Sequence, residues 1–285
     1  MKNKIKELFV QSQSKNVIST TTGLAELDRI YAESLYLTLV QHVDENGKAQ
    51  HIRLKDVKVT NDDIFQYIFG NKYNPKYIEK FLALLFANQL IKPISNPVEI
   101  TAEYNISHDR LNDSETILEL YLEEELPVAK RKIILNLSTL STKQDVRILN
   151  EIYFAALNKN KQACEMVSIW LSTVSLGDLT HGEVIGHYIP CQVNTKNGSL
   201  NAMPNTNKAS VFIDLYTLIQ KYKNTDKAQE FANTGIHTTS ELEMWLIYLC
   251  RGLIPYDMII TICKYNKMLA ELELELLGYL TAHSD

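Results

Sequence analysis

Glycine and proline are scarce: the 285-residue chain holds 10 of the first and 7 of the second. A β-sandwich or barrel needs a turn rich in glycine, proline or asparagine every ~10 residues. A dinucleotide-binding α/β fold needs several glycine-rich strand-to-helix turns. Scarcity of both breakers favours long helices. Cysteine is scarcer still, with 4 residues (Cys164, Cys191, Cys250 and Cys263) and no CxxC pair. Cys164, Cys250 and Cys263 lie inside apolar helical patterns, where a thiol behaves as a small buried hydrophobe. The reading is a reducing, cytoplasmic compartment without disulfides.

Positive charge is also in short supply. The net charge is −5, and no dense Lys/Arg stripe provides the basic face that phosphate contacts need. Nucleic acid and anionic lipid are disfavoured as partners. The longest basic run, Lys130-Arg131-Lys132, follows the acidic run Glu123-Glu124-Glu125; the pair reads as a solvated helix surface with local ion pairs. Long hydrophobic runs are missing too. Stretches such as Phe81 to Phe86 fall far short of the ~20 residues that span a bilayer, so no integral membrane segment is expected. The start, Met1-Lys-Asn-Lys-Ile-Lys, is basic but has no signal-peptide apolar run or cleavage site.

Catalytic signatures are absent in the same way. There is no GxGxxG, no GxxxxGK[ST], no GxSxG and no HExxH. Of the scattered histidines, only His181 and His187 lie in a cluster, with Asp178 and Glu183. Their six-residue separation does not put both on one helical face, so neither a metal nor a cofactor is expected. Glu271, Glu273 and Glu275 alternate with leucines near the C-terminus and read as a solvated helix face. Glu271 and Glu275 share that face and repel weakly.

What is present is helical periodicity. Thr20 to Thr22 offer a cap for a helix over about 23–42, ended by Asp44-Glu-Asn-Gly47. A competing reading pairs residues 35–42 with the alternating stretch after His51 as a hairpin around Asn46-Gly47. Further helices are expected over about 62–70 and, from Pro75, about 75–91. After a loop over 93–113, others are expected over about 115–126, 128–139, 143–158, 160–175 and 176–189. Residues 190–207 form the most irregular stretch, and four closing helices follow, at about 207–222, 239–252, 256–267 and 269–282. The fold class is therefore all-α: an N-terminal helical region, 1–112, packed on a C-terminal helical domain, 113–285. The tyrosines at 216, 222, 248, 256, 265 and 279 crowd the last third and suit either a core or a partner-binding groove.

The last third also carries a motif order. Ser240-Glu-Leu-Glu-Met-Trp-Leu-Ile-Tyr248 is followed by Pro255, then Tyr265, and then Gly278-Tyr279-Leu280-Thr281. This resembles the catalytic core of the Vps-nine domain, a family of guanine-nucleotide exchange factors for endosomal Rab GTPases. Upstream, Asn207-Lys208-Ala-Ser-Val-Phe-Ile213 resembles a helix start of the same family. The resemblance covers about 80 residues. Ser240 stands where the family has its aspartate finger, Glu241 where it has an acidic neighbour, and Met244 where it has a proline. One closing aromatic is missing.

The resemblance implies an exchange factor without covalent chemistry, with a small GTPase of the endosomal Rab subgroup as partner. Glu241, with Ser240 and Tyr279, would do the catalytic work. Leu242, Trp245, Tyr248, Pro255, Thr281 and Lys208 would line the partner-binding face. The glutamate-rich end resembles the signal that sends bacterial effectors into host cytosol by type IV secretion, which suits a protein acting on host Rabs. The competing function is a non-catalytic helical scaffold that binds another protein.

Overall fold

A computed structural model describes residues 38–43, 49–70, 75–86, 99–103, 117–125, 130–140, 165–181, 183–188, 191–193, 200–202 and 208–282. The chain divides into two compact units, one made of residues 1–64 with 219–285 and the other of residues 65–218. The seam expected at 112/113 lies outside the described residues.

The second unit overturns the all-α expectation, because it is built on a mixed sheet. Six strands, β3 (Glu99–Glu103), β4 (Ile117–Glu125), β5 (Lys130–Leu140), β6 (Glu165–Ser172), β7 (Ile185–Tyr188) and β10 (Lys208–Asp214), lie in the order β3-β4-β5-β6-β10-β7. The central β5, β6 and β10 are parallel, and the outer pairings are antiparallel. β8 (Cys191–Val193) and β9 (Leu200–Ala202) form a separate antiparallel pair within the irregular stretch.

The helices expected over 115–126 and 128–139 are β4 and β5, and alternation is the reason. Leu118, Leu120 and Leu122 alternate with Glu119, Tyr121 and Glu123, the period of a strand. The acidic and basic runs are opposite each other across this pair: Glu123, Glu124 and Glu125 are in register with Lys132, Arg131 and Lys130. The charge pattern read as a helix surface is thus two runs of opposite sign in cross-strand register.

The helix expected over 160–175 is β6, the one expected over 176–189 is a 3-10 turn followed by β7, and the one expected over 143–158 lies outside the described residues. β6 and β10 were hidden for a different reason. Both are central strands buried on each face. In β6, Val167, Ile169 and Leu171 are buried on one side and Ser168, Trp170 and Ser172 on the other. Such a strand reads as a continuous apolar run, which periodicity cannot tell from a buried helix segment. Trp170 and Phe212 pack with Leu176 and Leu179, which flank and end a 3-10 turn at Gly177–Leu179. Tyr188 closes that cluster, its ring edge-on to Phe212 at 5.2 Å and its hydroxyl donating to Leu179 O at 2.6 Å. At the end of β10 the buried Asp214 carboxylate accepts from the amides of Leu176 and Thr217. It thereby starts the helix Leu215–Tyr222 (α3 below) where the sequence pattern had one helix over the whole of 207–222.

The described helices of the chain are α1 (Asp62–Phe69), α2 (Lys76–Phe86), α3 (Leu215–Tyr222), α4 (Thr225–Asn233), α5 (Glu241–Leu249), α6 (Tyr256–Tyr265) and α7 (Lys267–Ala282). The helices expected at 62–70, 239–252 and 256–267 are present with shorter ends, the one expected at 269–282 already begins at Lys267, and the one expected at 75–91 is α2 over its described part, residues 87–91 lying outside the described residues. α4 was not foreseen; Asn224 caps it by accepting from the Asp226 amide at 2.8 Å. The helix expected over about 23–42 is overturned where it is described: Thr38–Val43 is strand β1, antiparallel to β2 (Ala49–Arg53) as the competing hairpin reading has it, while residues 23–37 and 44–48 lie outside the described residues. In this unit Trp245, Leu246, Ile259, Ile262, Leu269, Leu272, Leu276 and Leu277 form the helical core.

Trp170→Ala removes the largest buried side chain of the sheet unit, and it is expected to cost about 3–5 kcal/mol. Tyr216→Ala, at a position 36% exposed, is expected to stay within about 0.5 kcal/mol. Urea unfolding followed by far-UV circular dichroism checks both.

Candidate functional site

The start of α5 carries the acidic group singled out by the sequence. Ser240 is in extended conformation, and its hydroxyl oxygen accepts from the Glu243 amide at 3.1 Å, which makes it the N-cap. Glu241 and Glu243 fall in the first turn, where the helix dipole favours negative charge. Glu241 is exposed, and its Oε1 accepts from Asn266 Nδ2 at 3.4 Å. Asn266 in turn joins α6 to α7: its Oδ1 accepts from the Leu269 amide at 3.1 Å and caps α7. The preceding residue, Tyr265, is 52% exposed. Its ring meets the exposed His237 imidazole edge-on, with centroids 5.3 Å apart.

Tyr279 is not part of this face. It lies thirteen residues beyond Asn266 on α7, about 20 Å along the axis by α-helical rise. There it is half-buried, and burial followed by the charge of Asp63 raises its hydroxyl pKa. Glu241, on α5, meets the N-terminal end of α7 through Asn266, whereas Tyr279 lies near the C-terminal end of α7, and the structure does not bring them together. Tyr265 is the exposed tyrosine beside Glu241.

The remaining sequence candidates scatter. Trp245 and Tyr248 are fully buried and belong to the core, so they offer no surface to a partner. Leu242 is half-buried in the first turns of α5, and Pro255 is half-buried at the N-cap of α6. Thr281 lies in the last turn of α7. Lys208 opens strand β10 instead of a helix, and it lies in the sheet unit.

One constellation escaped the sequence reading altogether. Arg251, just past α5, and Glu273, in the middle of α7, form an ion pair at 3.0 Å with both side chains fully buried. Arg251 Nε and Nη2 donate to the Glu273 carboxylate. Tyr248 and Tyr256 add hydroxyl donors to the same carboxylate at 2.8 and 2.7 Å. The other side of the guanidinium faces the short 3-10 turn Leu54–Asp56: Nη1 donates to Val57 O at 2.5 Å and Nη2 to Leu54 O at 3.0 Å. Gly252 lies against the same segment at φ +79°, and a Cβ there would come within 2.8 Å of Asp56 O and Val57 O.

Glu273 therefore corrects the reading of the three glutamates as a solvated face. The signal for burial was present: Leu269, Ala270, Leu276 and Leu277 surround Glu273 at helical three- and four-residue spacing, and all are buried. Glu271 pairs with Lys267 at 3.9 Å on the outer side.

The electrostatics of the cluster follow from burial. Desolvation, and then the Glu273 charge, push both Tyr248 and Tyr256 well above the ordinary tyrosine range. Burial opposes the Arg251 charge, but Glu273 together with Tyr256 and Tyr248 more than offsets it, and the guanidinium stays protonated. Burial also pushes the Cys250 thiol far up, which leaves it chemically inert. Among the described residues, no group of three His, Cys, Asp or Glu side chains gathers as a metal site would require, and no helix is long and apolar enough to cross a membrane. Comparison with protein-family models, with curated proteins and with solved structures found no match.

Two predictions follow from the cluster. Glu273→Ala strands a buried guanidinium and is expected to destabilise by about 3–5 kcal/mol. Arg251→Met combined with Glu273→Leu is expected to recover more than half of that loss, as chemical denaturation will show. The tyrosines set a second expectation. A hydroxyl whose folded pKa is raised contributes stability that is fully present below the unfolded value near 10 and is lost as pH rises above it. In an alkaline titration read by tyrosinate absorbance, Tyr248 and Tyr256 should ionise only as the protein unfolds. Tyr248→Phe and Tyr256→Phe should each shrink that late step.

Proposed function

We propose that the C-terminal helices bind a protein partner without covalent chemistry, through the face that groups Tyr265, His237, Asn266 and Glu241. The observation that carries this reading is the exposed Tyr265–His237 ring pair beside the acidic start of α5. A tyrosine that presents an apolar ring and a polar tip to solvent is the side chain most often found anchoring protein contacts. The rigid caps at Ser240 and Asn266 hold the acidic and aromatic groups in place, so little ordering entropy is lost on binding.

A second reading makes the partner an endosomal Rab GTPase and the outcome nucleotide exchange. The exposed position of Glu241 in the first turn of α5 favours it, because the motif resemblance puts an acidic group there. A GTPase holds its nucleotide through phosphate, Mg²⁺ and ordered switch loops. A carboxylate offered to the phosphate-binding lysine competes for that charge, and preferential binding to the nucleotide-free state shifts the equilibrium. In this reading Tyr265 takes the place that the resemblance gave to Tyr279. The accompanying proposal, a bacterial effector delivered to host cytosol, rests on the glutamates of α7 that remain at the surface.

One experiment separates the readings. Endosomal Rabs loaded with fluorescent GDP are mixed with the protein, and both binding and nucleotide release are followed. The exchange reading expects faster release, reduced at least about tenfold by Glu241→Ala. Unchanged release across the panel removes it. The binding reading expects a partner recovered by the wild-type chain and lost with Tyr265→Ala, a substitution at an exposed site that should leave stability unaltered. Retention of that partner by Tyr265→Ala removes the proposed face.

A further inference from the structure

Residues 54–59 run beside the C-terminal helices although some two hundred positions separate them in the chain. Leu54, Val57 and Val59 are buried, and the segment is short and turn-like: the Val57 amide closes on Leu54 O at 3.3 Å, and Arg53 pairs with Asp56 at 2.6 Å on the exposed side. Its polar link to the helices is made through backbone. The Leu54 and Val57 carbonyls accept from the outer nitrogens of Arg251, and the Asp56–Val57 backbone lies where a side chain on Gly252 would otherwise be.

The remainder of the cluster does not depend on this segment. Glu273 already receives hydrogen bonds from Arg251 Nε and Nη2 and from the hydroxyls of Tyr248 and Tyr256, all carried by the C-terminal helices and the turn after α5. If residues 54–59 lift away, the ion pair keeps its partners, and the two freed guanidinium positions meet water. The cost of opening is therefore confined to three apolar side chains and two carbonyl bonds.

We propose that residues 54–59 form a strap that opens as a unit of its own while α5–α7 remain folded, with Arg251 as its clasp. Opening uncovers a guanidinium already oriented by Glu273 and leaves its carbonyl-binding side vacant for another backbone segment. Capture of the strap and the packing of the helices are thus separable events. This inference does not rest on the proposed partner face.

Hydrogen exchange on the whole chain in low denaturant tests it. Amides of residues 53–61 are expected to exchange at least about tenfold faster than those of α5 and α7, with little dependence on denaturant, as local openings do. Arg251→Lys keeps a cation for Glu273 but lacks the fork that reaches both carbonyls. It should accelerate strap exchange at least about tenfold further while changing α5 and α7 less than about threefold. A single rate and a single denaturant slope for strap and helices in the wild-type protein would overturn the proposal, even if the Lys variant fails to fold. So would unchanged strap protection in a folded Arg251→Lys.

Discussion

A buried ion pair is the constraint on which the helical unit depends. Taking Arg251 and Glu273 out of water costs several kcal/mol per charge, and their mutual attraction offsets this only when the remaining donors and acceptors are satisfied. Here they are satisfied from several directions: by Tyr248 on α5, by Tyr256 on α6, and by the carbonyls of Leu54 and Val57. The guanidinium also lies 5.4 Å from the Tyr256 ring centroid, close enough for a cation–π contribution. The helices α5, α6 and α7 are thereby held in one arrangement. A merely apolar core would tolerate small rotations of α5 against α7, whereas a bidentate pair with two hydroxyl donors does not. The caps at Ser240 and Asn266, which define the candidate partner face, belong to these same helices. The precision of that exposed face therefore originates in a buried cluster.

The sheet unit meets the same physical problem without buried charge pairs among its described residues. Its central strands bury both faces, and buried polar groups lie both within them, as Ser168 and Ser210 do, and where the chain turns. Asp214 ends β10 by accepting two amides, Ser172 ends β6 by bonding to the backbone of Val174, and Tyr188 reaches Leu179 O. Each of these groups closes a loop over the Trp170–Phe212 cluster. The two units thus show two ways of burying polarity. One gathers it in a network that fixes helix packing, and the other bonds part of it at strand ends.

How much was legible varied with the periodicity of each element. α5, α6 and α7 were legible from apolar spacing, and Ser240 caps α5 while Pro255 precedes α6 in agreement with it. β4 was legible in principle, since its leucines alternate, but Ser114 before it and Pro127 after it stand where helices over 115–126 and 128–139 would start. β6 and β10 carry no alternation, because burial on both faces removes it. For the candidate site, Ser240 and Glu241 were found from local order along the chain. Their association with Tyr265 in place of Tyr279 was not, since it depends on which end of α7 meets α5. Glu273 shows the same limit: a carboxylate within a leucine stripe can be solvated or paired, and only the position of Arg251 decides.

The amino-acid sequence by itself determined the local events: where helices start, which residues cap them, and how apolar groups recur along each one. These depend on neighbours within about four positions, where backbone geometry is nearly the same in every protein. Tertiary structure decided what depends on distant partners. It made strands of apolar runs that could equally have been helices, and it set the acidic and basic runs opposite each other in β4 and β5. It also joined residues 54–57 to Arg251 and Glu273. Pairing across such separations is selected by the total free energy of the packed chain, in which a buried charge is tolerable only beside its counterion.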